Sequence, residues 1–207
     1  MTRISAIAAS VVAAVGVGAV ALYVMTNRTD DPFAQCRDSV IAGGGGEIGG
    51  PFTLVNHNGQ TVTDSDVFTE PALVYFGYTF CPDVCPIDNA RNAEAVDVLE
   101  EMGHEVNPVF ITIDPARDTP EVMADYVPYM HQRMIGLTGT GEQVRAAAKA
   151  YRVFYQKQET GDEFYLMNHT TLTYLVLPGQ GFVEFFRRDE TGEQVARRAS
   201  CFLDAAS

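Results

Sequence analysis

Between residues 51 and 207 the chain alternates short apolar runs with polar, proline-rich and glycine-rich punctuation. ALVYFGY (72–78) and VFITI (109–113) show no polar alternation, which predicts strands buried on both faces. Between them Ala95, Val98, Leu99 and Met102 recur at i, i+3, i+4 and i+7, so a helix is predicted over 86–101. Asp118-Thr119-Pro120-Glu121 supplies a capping oxygen and then a proline preset for a first helical turn. The helix it opens carries Val122, Met123, Tyr126 and Val127 on one face, and Pro128 should end or kink it.

Val144, Ala147, Ala148 and Tyr151 mark a further helix. LTYLVL (172–177) and FVEFF (182–186) are strands joined by Pro178-Gly179-Gln180-Gly181, a hairpin signal. Thr191 with Gln194 has the spacing of a capping box for a last helix bearing Val195, Ala199, Phe202 and Leu203. Upstream, the apolar steps of 52–62 around Asn58-Gly59 predict a first hairpin. After that hairpin the order is βαβαα, a β-hairpin and a helix, an α/β chain with a central mixed sheet flanked by helices. It resembles the thioredoxin plan, a βαβ unit followed by a ββα unit.

The N-terminus follows a different pattern. Residues 4–25 carry no charge and are rich in Ala and Val. As a helix they would be about 33 Å long, enough to span a bilayer core. Arg3 precedes the run and Asp30 and Asp31 follow it, which favours a cytoplasmic N-terminus and an exported remainder. The expectation is a transmembrane anchor at 1–28; a cleaved signal peptide, with Ala19-Val20-Ala21 as its small-residue site, is the competing reading. Either way the domain is exported to the periplasmic side, where disulfides form. AGGGGEIGGP (42–51) has six glycines and closes a flexible tether over 29–50, leaving 51–207 as the folded domain.

Charge sharpens this division. The chain carries 14 Lys plus Arg against 27 Asp plus Glu, a net charge of −13. Loss of 1–28 removes Arg3 and Arg28 and no acid, so the exported part stands at −15. Phosphate binding requires clustered positive charge, so nucleic acid is excluded as a natural partner.

Four cysteines direct attention to sulfur. Cys81 and Cys85 lie in FGYTFCPDVCP, between a buried strand and a helix N-terminus. Unpaired amides and the positive end of the helix dipole favour a thiolate there. Three residues separate the sulfurs, where a thioredoxin-type reductase has two; a disulfide remains accessible, and so does a two-thiolate metal clamp. A third ligand is then required. His57, His104 and His131 read as ordinary residues of a hairpin, a strand lead-in and a helix end. On the thioredoxin plan His169 falls in the loop before strand 173–177, and that loop faces the cysteine motif. Two thiolates and one imidazole make a soft three-coordinate set suited to Cu(I), and a weak extra ligand would admit Cu(II). Zinc would demand a fourth ligand. Met167 is near enough in sequence to approach such a metal, but reads better as core.

FGYTFCPDVCP, TIDPARDTPE, AYRVFY and NHTTLTYLVLPGQG, in that order, resemble the Sco/SenC family of copper-binding, membrane-tethered thioredoxin-fold proteins. The resemblance covers about 50–203. It implies copper carried by Cys81, Cys85 and His169, and a role in assembling the dinuclear copper centre of cytochrome c oxidase subunit II. Another copper chaperone would be the donor. Asn168 departs from the Asp that many members carry, removing a negative charge beside His169. The DPARDTP segment is also a family marker; its residues read as a strand end and a helix cap.

If Cys81 and Cys85 are the functional pair, Cys36 and Cys201 remain, either as independent thiols or as a disulfide pinning the tether to the domain. Closing that loop would contribute about 4–5 kcal/mol in the chain-entropy model. The leading function is a copper metallochaperone. A thiol–disulfide oxidoreductase, with Cys81 attacking and Cys85 resolving, is the alternative, and His169 discriminates because dithiol exchange does not require it. A membrane-coupled sensor and a peroxidase are weaker readings.

Overall fold

The two non-alternating apolar runs lie side by side at the centre of the sheet, parallel to one another. The fold is described by a computed structural model over residues 18, 31–37, 48–158 and 165–206. Gln35–Ser207 forms one unit and Met1–Ala34 a separate one. Apart from residue 18, the anchor expected at 1–28 lies outside the described residues, as does most of the glycine tether. Among the described residues no helix is long and apolar enough to cross a membrane.

The elements are β1 (Thr53–Asn56), β2 (Thr61–Thr63), α1 (Asp64–Val67), β3 (Ala72–Gly77), α2 (Val84–Glu101), β4 (Asn107–Thr112) and α3 (Pro120–Met130). There follow β5 (Ile135–Thr138), α4 (Gly141–Ala150), β6 (Tyr155–Lys157), β7 (Met167–His169), β8 (Thr173–Leu177), β9 (Gly181–Phe186) and α5 (Gly192–Ala206). Seven strands form a mixed sheet in the order β2-β1-β5-β4-β3-β8-β9, parallel across β3–β4–β5 and antiparallel elsewhere. All residues of β3 and β8 are buried. Both run through the sheet interior, which is why their sequences show no polar alternation.

Tyr75, Phe76, Phe110, Tyr151 and Tyr174 fill much of the core. The α/β expectation with a central mixed sheet therefore holds, with differences in detail. A strand, β5, intervenes between α3 and α4 where the sequence predicts none. Its four residues, IGLT, have no readable alternation, and it becomes a strand by pairing with β4 on one side and β1 on the other. Its Gly136 also admits close helix packing: a Cβ there would lie 2.7 Å from Val127 Cγ1 of α3. Pro128 does not end α3, which continues to Met130.

In α2, Ala95 and Leu99 are buried as predicted, but Val96 shares that face and Met102 is exposed. Its first half buries polar side chains instead, Asp88, Asn89, Arg91 and Asn92. They are paired: Tyr75 Oη donates to Asp88 at 2.9 Å, and Arg91 donates to Arg187 O and Thr173 Oγ1 at 2.7 Å each. Buried polar groups without such partners would be costly, so the network ties α2 to β3 and β8. The capping box opening α5 is present, with Gln194 N donating to Thr191 Oγ1 at 3.2 Å and Thr191 N to Gln194 Oε1 at 2.8 Å.

Candidate metal centre

The FGYTFCPDVCP segment leaves the core at the end of β3, turns, and enters α2 at Val84. Asp83 occupies the N-cap but makes no side-chain cap, so first-turn amides are available to sulfur. Cys85 N–H donates to Cys81 Sγ at 3.3 Å. Burial pushes the Cys81 thiol up, but hydrogen bonds from the Asp83 and Cys85 amides and from the Cys85 and Tyr78 side chains prevail, and its pKa lies below the ordinary cysteine value. Cys85 is fully buried, and burial drives its pKa well up; the neighbouring Cys81 adds to the rise, against a smaller opposing effect of the Tyr78 backbone. The two sulfurs are thus chemically unequal, with Cys81 partly exposed and easier to ionise.

Gly77 makes room for the buried sulfur. A Cβ at Gly77 would stand 3.0 Å from Cys85 Sγ and 2.9 Å from ring atoms of both Phe110 and Tyr75.

His169 arrives from the other side of the site. It is the last residue of β7, which pairs with β6 in a two-stranded ribbon, Tyr155 opposite His169. The loop expected at this position is thus a short strand, visible only through its partner. His169 Nε2 lies 3.5 Å from Cys85 Sγ, and Nδ1 is 2.8 Å from Thr170 O. A carbonyl only accepts, so Nδ1 carries the proton and the Nε2 lone pair faces the sulfur. Burial lowers the imidazole pKa, which keeps the ring neutral. Tyr75 and Tyr78 hold it edge-on, at 6.2 and 6.0 Å between ring centroids.

The structure thus brings Cys81, Cys85 and His169 into one neighbourhood. Among the described residues no three His, Cys, Asp or Glu side chains form a finished metal-holding group. Met167 packs against the core, and its amide donates to Tyr78 Oη at 3.3 Å. Asn168 is exposed and accepts from Gln158 Nε2 at 2.7 Å. The other histidines have local partners. His57 Nδ1 accepts the Gly136 amide at 3.1 Å; His104 lies 3.3 Å from Asp204, and His131 3.2 Å from Asp97. Cys36 and Cys201 are joined in a disulfide, with Cα atoms 5.6 Å apart.

Sequence reasoning undervalued DPARDTP. Thr119 does cap α3, donated to by Val122 N. Asp118, however, is fully buried and accepts from Thr79 N at 3.0 Å, and from Thr79 Oγ1 and Thr112 Oγ1 at 2.6 Å each. It grips the loop that carries Cys81. Arg117 pairs with Asp114 and lies 3.6 Å over the Tyr165 ring and 4.9 Å from that of Phe80. A charged pair two residues from a helix cap, with aromatics around the cysteines, was the available signal.

A family model described as SCO1/SenC matches residues 42–204. Protein SenC of Rhodobacter capsulatus is 51% identical over 204 residues, covering 99% of this chain and 92% of the relative. Protein SCO1 homolog 1, mitochondrial, of Arabidopsis thaliana is 41% identical over 143 residues, but this chain spans only 43% of its length. Among solved structures, Arabidopsis thaliana ScoI with copper bound superposes with a TM-score of 0.71 at 36% identity, covering 76% of this chain and 99% of that one. BsSco, a member of the Sco family of cytochrome c oxidase assembly proteins, has a TM-score of 0.58 at 21% identity, covering 76% of this chain and 91% of that one; this likeness bears on the fold alone.

Proposed function

The chain belongs to the SCO1/SenC family, and from that premise we propose that it is a copper metallochaperone. It takes copper onto Cys81, Cys85 and His169 and delivers it to the dinuclear copper site of cytochrome c oxidase subunit II, having received it from another copper chaperone. Residues 1–28 anchor it, 29–50 form the tether, and 51–207 work on the exported, periplasmic side of the membrane.

The observation that carries the reading is the approach of His169 Nε2 to within 3.5 Å of Cys85 Sγ. A dithiol site has no need of that imidazole, whereas a soft three-coordinate site for Cu(I) does. The donor set fits the metal, with a neutral imidazole, an easily ionised thiol at Cys81 and a second thiol whose proton is released to solvent as the cation binds its sulfur. Cys81 is part-exposed in the loop before α2. That accessibility suits release, because handover proceeds by exchanging each ligand for a partner's.

The unequal sulfurs favour a second activity. Cys81 thiolate attacks a partner disulfide, one partner thiolate leaves, and Cys85 then attacks Cys81, freeing the second partner thiol. Two electrons pass to the partner and a Cys81–Cys85 disulfide remains, to be reset by an external dithiol reductant. This would keep a partner's copper-ligand cysteines reduced.

Anaerobic Cu(I) titration of the reduced and oxidised protein tests the first reading. One equivalent should bind tightly only when reduced, and His169→Ala should lose tight binding while retaining reduction of a model disulfide. Unchanged copper affinity in His169→Ala would remove the metal reading.

A further inference from the structure

Among the described residues, the β6–β7 ribbon that carries His169 shares no backbone ladder with the seven-stranded sheet. Its short covalent link to β8 and the contacts of neighbouring side chains therefore set its distance from the cysteines. Several of these contacts come from the loop at residues 114–120. Arg117 donates through an Nη1 hydrogen to Tyr165 O at 3.0 Å and stacks on the Tyr165 ring; Tyr165 Oη in turn donates to Asp114 Oδ1 at 2.8 Å. Tyr165 lies two residues before β7, and at that end of the ribbon Gln158 N–H donates to Leu166 O at 2.8 Å. The same loop holds the other half of the site, since Asp118 takes both donors of Thr79, and Arg117 lies beside Tyr78 and Phe80. Its own base is fixed to the sheet, Ile113 N–H donating to Gly77 O and Asp114 N–H to Thr112 Oγ1.

We propose that this loop is a latch that sets the separation between the Cys81 loop and the His169 ribbon, with Arg117 as its positioning residue. Arg117 suits the task because a planar guanidinium can stack on Tyr165 while its edges bond a carboxylate and a carbonyl at once. The inference rests on Cys81, Cys85 and His169 being the copper ligands, and it adds that the ligand geometry is imposed from outside the ligand set.

Arg117→Ala tests it, first in the copper-free protein by amide hydrogen exchange. Exchange at Gln158 and Thr170 should quicken, while the amides of β3 and β4 keep their protection. Cu(I) affinity, measured by competition with a chromophoric chelator, should fall by roughly 10- to 100-fold, the usual range for groups that orient metal ligands. Because the effect acts through His169, Arg117→Ala added to His169→Ala should cost nothing more. Tyr165→Phe, which removes only the hydroxyl bonded to Asp114, should shift exchange and affinity in the same direction by less. Additive losses in the double variant, or wild-type affinity in Arg117→Ala where His169→Ala is weakened, overturn the latch. Wild-type affinity in His169→Ala overturns the ligand reading instead, and the exchange result on the copper-free protein still decides whether the latch exists.

Discussion

The cysteine half and the histidine half of the site are built differently. Cys85 stands at the junction of a fully buried strand and an 18-residue helix, its sulfur against Gly77 and its neighbour Asp88 bonded to Tyr75. His169 stands on a ribbon of two three-residue strands, held by Tyr75, Tyr78 and the Arg117–Tyr165 stack. The first half is positioned by backbone elements of the core, and the second by ring contacts with Tyr75 and Tyr78 and by the ties of Tyr165 to the 114–120 loop. A carrier benefits from this inequality, because a ligand held weakly on one side can yield its metal without unfolding the other. Changes to the core should therefore act on stability, and changes to the ribbon on copper.

Phe76→Ala is the strongest way to break that comparison. It removes a fully buried ring from β3 and should cost about 3–5 kcal/mol, read as a lower denaturant midpoint with the urea slope unchanged. A loss below 1 kcal/mol would show that the core does not anchor the cysteine half. Replacing Cys36 and Cys201 together by Ser should cost about 2–5 kcal/mol, because the disulfide closes 165 residues. Cu(I) stoichiometry should not change, and its loss would tie the staple to the site.

Gly77→Ala should be milder in stability, about 1–3 kcal/mol of overpacking. It should nevertheless weaken copper binding, because the added methyl pushes directly on Cys85 Sγ. The smallest effect separates the two sulfurs. Alkylation of the reduced protein by iodoacetamide should occur at Cys81 alone, its rate rising with pH through a midpoint below the ordinary cysteine value, because its thiol is lowered. Cys85, buried and pushed up, should stay unmodified across that range; equal labelling of both residues would contradict the asymmetry.

Legibility followed the same boundary. The strand at 72–77, the helix after it and the cysteine pair were readable because local pattern and local chemistry coincide there. The helix caps at Thr119 and Thr191 were equally local. β5 and the β6–β7 ribbon were not readable, since strands of three or four residues acquire their hydrogen bonds only from partners distant in sequence. The buried polar face of α2 misled the periodicity, because Asp88, Asn89, Arg91 and Asn92 are buried by virtue of Tyr75, Tyr126, Thr173 and Arg187. DPARDTP looked like a cap because its ties to Thr79 and Tyr165 span 39 and 48 or more residues of sequence.

By itself the sequence determined the α/β order, the strand–turn–helix that carries Cys81 and Cys85, and the likeness to a copper-handling family. Those follow from apolar spacing and short motifs, which act over a few residues. Tertiary structure set the 3.5 Å between His169 Nε2 and Cys85 Sγ across 84 residues of chain, decided for a Cys36–Cys201 disulfide over free thiols, and brought Arg117 to the site. Each of these is a meeting of distant segments, and the packing of the whole sheet and its helices is what brings such segments together.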